Sequence, residues 1–188
     1  MSDYMFMLES RLSADQNRVL EHVQAAAGAA GVNLFLTGGG MRDMLGGFRI
    51  RDLDFSVEGH ALKVAQTLEE QGARTLAVDE NRSSTELVFA SGVTAQVAMS
   101  RTERYAKTGA KPQVTPATIQ DDLRGRDFTV NAMALSLNRA SRGLLLDPPT
   151  AWPTWAGTRC AARIRTCSTT TRRGCSGWFA CGSGCRSP

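Results

Sequence analysis

The first 150 residues contain no cysteine and no tryptophan. That stretch therefore has neither a disulfide framework nor thiolate metal ligands. Histidine is nearly absent too. His22 and His60 stand far from other ligand types and read as surface positions rather than parts of a metal centre. Long apolar runs are missing: the Ala-rich stretch 25–30 is too short and too small to span a bilayer. Nothing near the start resembles a secretory signal, so a cytoplasmic location is the expectation. After residue 150 the gaps reverse. Residues 151–188 have six Arg but no Lys, Asp or Glu, and they hold all five cysteines and all three tryptophans.

The charge follows the same boundary. The 188 residues carry a net charge of +4, yet residues 1–150 have 16 Lys and Arg against 18 Asp and Glu. The basic character belongs to the tail, and net charge does not mark the head as a polyanion binder. In the tail, Cys160, Cys167, Cys175, Cys181 and Cys185 form no C-x-x-C pair and have no histidine near them. Zinc is poorly supported there.

What the chain does have is concentrated between residues 32 and 57. Val32 to Thr37 reads as a buried strand, Gly38-Gly39-Gly40 turns it, and Met41 to Leu45 can begin a helix. Arg51 to Val57 reads as a second strand. Alternation puts Asp52, Asp54 and Ser56 on one face and Leu53, Phe55 and Val57 on the other. Two carboxylates one residue apart on a groove-facing side suit divalent ions held against a phosphate. The glycines let backbone N–H groups approach a triphosphate. The dinucleotide fingerprint G-x-G-x-x-G fails, because Asp43 stands where its last glycine belongs.

Leu36-Thr37-Gly38-Gly39-Gly40-Met41-Arg42-Asp43-Met44-Leu45-Gly46 resembles the strand–Gly-Gly–Arg-Asp–helix motif of the bacterial tRNA CCA-adding enzymes and poly(A) polymerases. Asp52-Leu53-Asp54 resembles their metal-binding Asp-x-Asp. Asp122-Leu123-Arg124-Gly125-Arg126-Asp127-Phe128-Thr129-Val130-Asn131-Ala132 resembles their Arg-Arg-Asp-Phe-Thr-x-Asn-Ala segment. The resemblance covers about residues 30 to 148. It implies an α/β (α+β) nucleotidyltransferase head domain, polymerase-β-like, with a mixed sheet and packed helices.

It also implies template-independent, metal-dependent nucleotidyl transfer from ATP or CTP to an RNA 3′ end, tRNA foremost. CCA, A-only, CC-only and poly(A) addition all stay open. Asp52 and Asp54 would be the catalytic metal ligands for Mg²⁺, with two ions in the family scheme. Gly38, Gly39 and Arg42 would meet the phosphates. Asp43 would orient Arg42 or cap the helix that follows it. Arg126, Asp127 and Asn131 would contact the nucleotide, Asp127 having a helix cap as its alternative role. Arg101 and Arg104, with Glu103 and Tyr105, match a loop near the RNA substrate, although a solvated loop suits them as well. No membrane and no protein partner is implied.

Two departures stand out. Gly125 takes the place of a common Arg, and Gln96 takes the place of a third carboxylate found on a later strand in the superfamily.

The tail departs further. Family members continue after Leu-Asp-Pro with Asn-Gly-x-x-Asp-Leu and then an Asp-Asp-Pro-x-Arg helix. A one-base shift of frame allows residues 150–157 to read NGLADLGG. The same shift allows residues 169–180 to read YDDPTRLFRLVR. Residues 149–188 are therefore expected to be an out-of-frame, disordered tail. Two functions compete for the chain as it stands. One is a nucleotidyltransferase head acting in RNA 3′-end processing. The other is a catalytically inactive nucleotide- or RNA-binding remnant lacking the neck and tRNA-binding regions.

The remaining pattern predicts an N-terminal helix over 9–30, with Ser13 and Gln16 forming a capping box that would delay its start. It predicts a helix over 60–71, strands over 73–78, 85–90 and 93–99, and a loop over 101–117 containing Pro112 and Pro116. Ile119 to Asn138 reads as mainly helix, with Phe128, Val130, Met133 and Leu135 in the core. A short strand follows at 144–146.

Overall fold

The computed structural model describes residues 3–104 and 111–148. The reading of residues 149–188 as an out-of-frame tail, and Tyr105, lie outside the described residues. Helix α1 (Asp3–Arg11) and helix α2 (Ala14–Ala30) precede β1 (Asn33–Thr37), α3 (Gly38–Leu45), β2 (Leu53–Glu58) and α4 (Ala61–Glu70). Three strands follow: β3 (Arg74–Asp79), β4 (Ser84–Val88) and β5 (Thr94–Met99). A ribbon of β6 (Arg101–Arg104) and β7 (Gln113–Pro116) leads to α5 (Ile119–Gly125), a 3-10 turn at Thr129–Asn131, β8 (Ala134–Ser136) and β9 (Leu145–Leu146).

The seven-stranded sheet runs β3-β4-β5-β2-β1-β8-β9. The β2–β5 pair is parallel, and the other pairs are antiparallel. Helices α1 to α4 cover one face. Their Leu8, Val23, Met41, Met44, Val64 and Leu68 pack with Leu36, Phe55, Val57 and Val97 of the sheet. On the opposite face a smaller cluster joins Ile119 and Leu123 of α5 to Phe35 and Ala134. Strand β1 is thus apolar on both sides, as its uninterrupted Leu34-Phe35-Leu36 run requires. The polar face of β2 lies on the α5 side, where the sheet is only partly covered.

Five expectations are corrected. The single helix over 9–30 is two helices. Ser13 starts the second with a full capping box, its Oγ accepting from Gln16 N–H and its own N–H donating to Gln16 Oε1. The cap belongs to a new helix, and Leu12 before it turns into the core. The helix expected from Met41 begins at Gly38 instead. Gly38, at φ +65, breaks the strand, and Gly39-Gly40 already form the first turn of α3.

The segment 101–117 is partly strand. Thr102 and Thr115 hydroxyls meet at 2.8 Å across the β6–β7 ribbon, and Pro116 sits at the strand end where no ladder N–H is needed. The helix predicted over 119–138 stops at Gly125. Residues 134–136 are claimed by the sheet, Leu135 pairing with Leu36 and Ser136 with Phe35. Sheet pairing and burial override the local preference there. Phe128, expected in the core, is 42% exposed, whereas Met133 and Leu135 are fully buried.

Candidate active site

A cleft of about 640 Å³ opens on the polar face of β2, between the start of α3, the end of α5 and the β6–β7 ribbon. Asp54, midway along its floor, is placed by strand alternation. Its Oδ2 accepts from the Gly39 N–H at 3.2 Å. The contact is close because neither neighbouring glycine has a side chain: a Cβ on Gly38 would lie 2.6 Å from the same oxygen.

Burial raises the Asp54 carboxyl above its ordinary value. The Gly39 N–H opposes this, the Asp52 charge adds to it, and Arg126 and Arg42 oppose it. Asp52 precedes β2, is exposed, and lines a smaller groove of about 220 Å³ with Asp54, Glu86 and Gln96. Asp54 and Gln96 line both spaces.

A hard cation fits these donors. Two carboxylates one residue apart offer oxygen ligands, and a cation would relieve the cost of burying the Asp54 charge. Gln96 is the register neighbour of Asp54 across the parallel pair, so the adjacent strand offers a neutral amide there. Among the described residues no group of three His, Cys, Asp or Glu side chains is arranged to hold a metal. An ion at Asp52 and Asp54 would complete its shell from water and ligand phosphate.

Arg42 faces the cleft from α3 and is held from behind. Its Nε and Nη2 both donate to Asp43 Oδ1, at 3.2 and 3.1 Å, while Arg51 Nε reaches Asp43 Oδ2 at 3.3 Å. Asp43 is buried inside α3. Of its two expected roles, orienting Arg42 is the one present. It does not cap the helix, and it is not among the residues lining the cleft.

From the other wall come Arg126, Asp127 and Asn131. The helix expected through Asn138 would have put Asp127 and Asn131 on one face, but α5 has already ended at Gly125. Asp127 accepts the Phe128 N–H at 2.8 Å and lies exposed at the cleft edge. Asn131 ends the 3-10 turn, and its side-chain oxygen is buried with no hydrogen-bond partner among the described residues. Arg101 also lines the cleft and donates to Glu103 at 3.0 Å. Arg104 is exposed and is not among the lining residues.

Residues 34–149 match the family model described as the poly A polymerase head domain. The chain belongs to the poly(A) polymerase head-domain family. An A-adding tRNA nucleotidyltransferase of Halalkalibacterium halodurans is 37% identical over 142 residues, covering 76% of this chain and 33% of that protein. Among solved structures, a CCA-adding enzyme in its apo form superposes with a TM-score of 0.77 at 26% identity, covering 86% of this chain and 38% of that one. The Thermotoga maritima CCA-adding enzyme complexed with tRNA gives 0.70 at 25% identity, over 86% and 36%. The chain spans a third or less of the length of the curated relatives it matches, from 33% down to 13%. The head-domain fold expected from the motifs, a mixed sheet with packed helices, is the fold these structures share.

Glu58 escaped the motif reading, and Ser56 was placed on the groove-facing side without a role. Ser56 and Glu58 continue the polar face of β2 beyond Asp54. Glu58 Oε1 accepts the Ile119 N–H at 2.7 Å, pinning the first residue of α5 to β2. Thr37 Oγ1 lies 3.1 Å from Ser56 Oγ. Alternation along β2 was the available signal for Ser56 and Glu58. Their partners 60 to 70 residues away left no local trace.

Proposed function

We propose that this head domain performs nucleotidyl transfer from ATP or CTP to the 3′ end of an RNA, tRNA being the substrate class. The carrying observation is the opposition across one cleft of Asp54 to Arg42 and Arg126, with Asp52 in the groove that adjoins it. That polarity matches a metal-bound triphosphate and little else of that size. The names of the relatives point the same way, since they add A or CCA ends to tRNA.

In this reading Asp52 and Asp54 hold Mg²⁺, one ion or two. When bound, the metal lowers the barrier to attack by the RNA 3′-hydroxyl and neutralises the departing pyrophosphate. The Gly39 N–H fixes the Asp54 carboxylate in one orientation. Arg42, locked by Asp43, sets a charge against the phosphates in a position it need not search for. Arg126 and Asn131 bound the far side, and the buried Asn131 oxygen has no partner among the described residues. Asp127 stands at the rim beside them. Arg101 offers a charge to the RNA strand, and Arg104 a weaker, outer one. A cytoplasmic location goes with this reading, and among the described residues no helix is long and apolar enough to cross a membrane.

The test is incorporation of labelled ATP or CTP into tRNAs ending before A, or before CCA, with Mg²⁺. Transfer by the chain and its loss in Asp52→Ala and Asp54→Ala are expected. Equal incorporation by the variants would remove the carboxylates from the chemistry. A second reading, a nucleotide- or RNA-binding remnant, is favoured by the change of composition after residue 150. It predicts triphosphate binding with no transfer by the wild-type chain.

A further inference from the structure

The Arg126 guanidinium is the most heavily engaged cation in the cleft. Nη1 donates to the Asn131 carbonyl at 3.1 Å, and Nη2 donates to Ser56 Oγ at 3.3 Å and to Asp122 Oδ2 at 3.4 Å. Its backbone has left the helix: at φ −73, ψ 151 it is the extended cap of α5. Arg126 therefore reaches β2 as a bridge between two elements.

The two side chains that receive it are sequestered. Ser56 is 3% exposed, and Asp122 is 15% exposed at its side chain. Burial holds the Asp122 carboxyl above its ordinary value, with Arg126 the largest opposing influence. A carboxylate placed at such a cost, against a single arginine that lines the cleft, is not explained by the packing of α5. Glu58 already pins the start of that helix, and Leu123 its apolar side.

We infer that Asp122 and Ser56 are positioning residues that hold Arg126 against β2, so that its outward N–H groups face a triphosphate seated on Asp54. The assignment rests on the nucleotide-binding reading given above. The geometry supports it in three ways. Asp122 lies inside α5 four residues before Arg126, and the two side chains meet where the helix ends. Ser56 is two residues from Asp54 and faces the same way, so a guanidinium anchored on it lies one strand repeat from the carboxylate. Ser56 Oγ in turn sits beside Thr37 Oγ1, which also reaches the Asp54 carbonyl at 3.4 Å. The anchor is therefore tied to both strands that frame the site. Three of the five guanidinium N–H groups are engaged among the described residues, which leaves two for a ligand.

Two measurements on the full chain test this. The first is Mg-ATP binding by calorimetry in Asp122→Asn, Ser56→Ala, Arg126→Ala and the doubles. The expected losses are roughly five- to tenfold for Asp122→Asn and about threefold for Ser56→Ala. Neither change should weaken binding further once Arg126 is alanine. Equal losses with and without Arg126 would overturn the assignment, because the residues would then act by another route. The second is nitrogen NMR of the arginine side chains without nucleotide. Slow rotation of the Arg126 guanidinium in the wild-type chain, becoming fast in Asp122→Asn, is expected. Equal rotation in both overturns the hold even where ATP binds. A wild-type chain that restrains Arg126 but ignores ATP would sink the nucleotide-binding reading, and with it the purpose assigned to the hold.

Discussion

Asp54 and Gly39 are joined by a hydrogen bond of 3.2 Å that crosses from β2 to the first turn of α3. The bond exists because the chain at residue 38 has a positive φ and no Cβ. Gly38→Ala places a methyl group against Asp54 Oδ2 in a conformation alanine resists. It is expected to cost roughly 1–3 kcal/mol and to move the carboxylate off its position. Gly39→Ala meets the Arg42 tip at 3.4 Å and Asp54 Oδ2 at an ordinary 3.8 Å and has a helical backbone, so it should cost less. Urea midpoints of the two variants, alongside transfer assays, check the order.

Asp54→Asn should abolish transfer and yet stabilise the metal-free chain at neutral pH. The folded-state carboxyl is raised above its ordinary value of 3.8. Such a group contributes stability that is fully present below the unfolded-state value and is lost as pH rises through the folded-state value. The asparagine variant lacks that loss and can still accept from Gly39. Its advantage should therefore appear as pH climbs above the ordinary carboxylate value and vanish below it. Thermal melts in EDTA at neutral pH and near pH 3 read this out. About 1 kcal/mol corresponds to roughly 2–4 °C in a chain of this size. A variant less stable than wild type at pH 7 would contradict the assigned burial cost.

Asp43→Ala frees Arg42 and Arg51 together. Asp43 is buried while Arg51 is largely exposed, so the structural loss is that of the Arg42 anchor. Destabilisation of about 1–3 kcal/mol is expected, with weaker ATP binding that Asp43→Glu does not restore, because an extra methylene at this buried position moves the carboxylate off the Arg42 guanidinium. Calorimetry and melting curves on both variants decide this.

Gly125→Arg is a gain-of-function test. A Cβ at Gly125 would meet nothing within 4 Å, and the residue lines the cleft. An arginine there can reach a bound triphosphate without displacing anything. Tighter Mg-ATP binding, by roughly three- to tenfold, is expected, with a steeper loss of affinity as salt is added. Unchanged affinity would place the triphosphate elsewhere in the cleft.

The parts of this site that could be read from the sequence were those encoded by short spacing. Asp52 and Asp54, the glycines and Arg42 lie within 17 residues, and alternation alone assigned the faces of β2. Gln96, placed by the resemblance where a third carboxylate would stand, is the register neighbour of Asp54. The errors arose where distant segments decide local form. Residues 134–136 carry a helix-compatible pattern, but the open edge of β1 takes them as a strand. Arg126 leaves the helix because its partner, Ser56, is on another element. Phe128 looks like core by composition, yet it lies exposed beyond the end of α5. None of these outcomes has a signature within one helical turn of the residue concerned.

The two walls of the cleft are separated in time as well as in space. Gly39 and Asp54 are 15 residues apart, whereas Ser56 and Arg126 are 70 apart. At roughly 5–20 residues per second on the ribosome, the corner built by α3 and β2 can close several seconds before Arg126 has been added to the chain. Strand β1 keeps one edge unpaired over that interval, until residues 134–136 arrive to cover it. The nascent chain thus passes through a stage in which its carboxylate corner is assembled beside an exposed apolar edge. Synthesis that stalls within this window would present that edge to any chaperone or neighbouring chain able to add a strand.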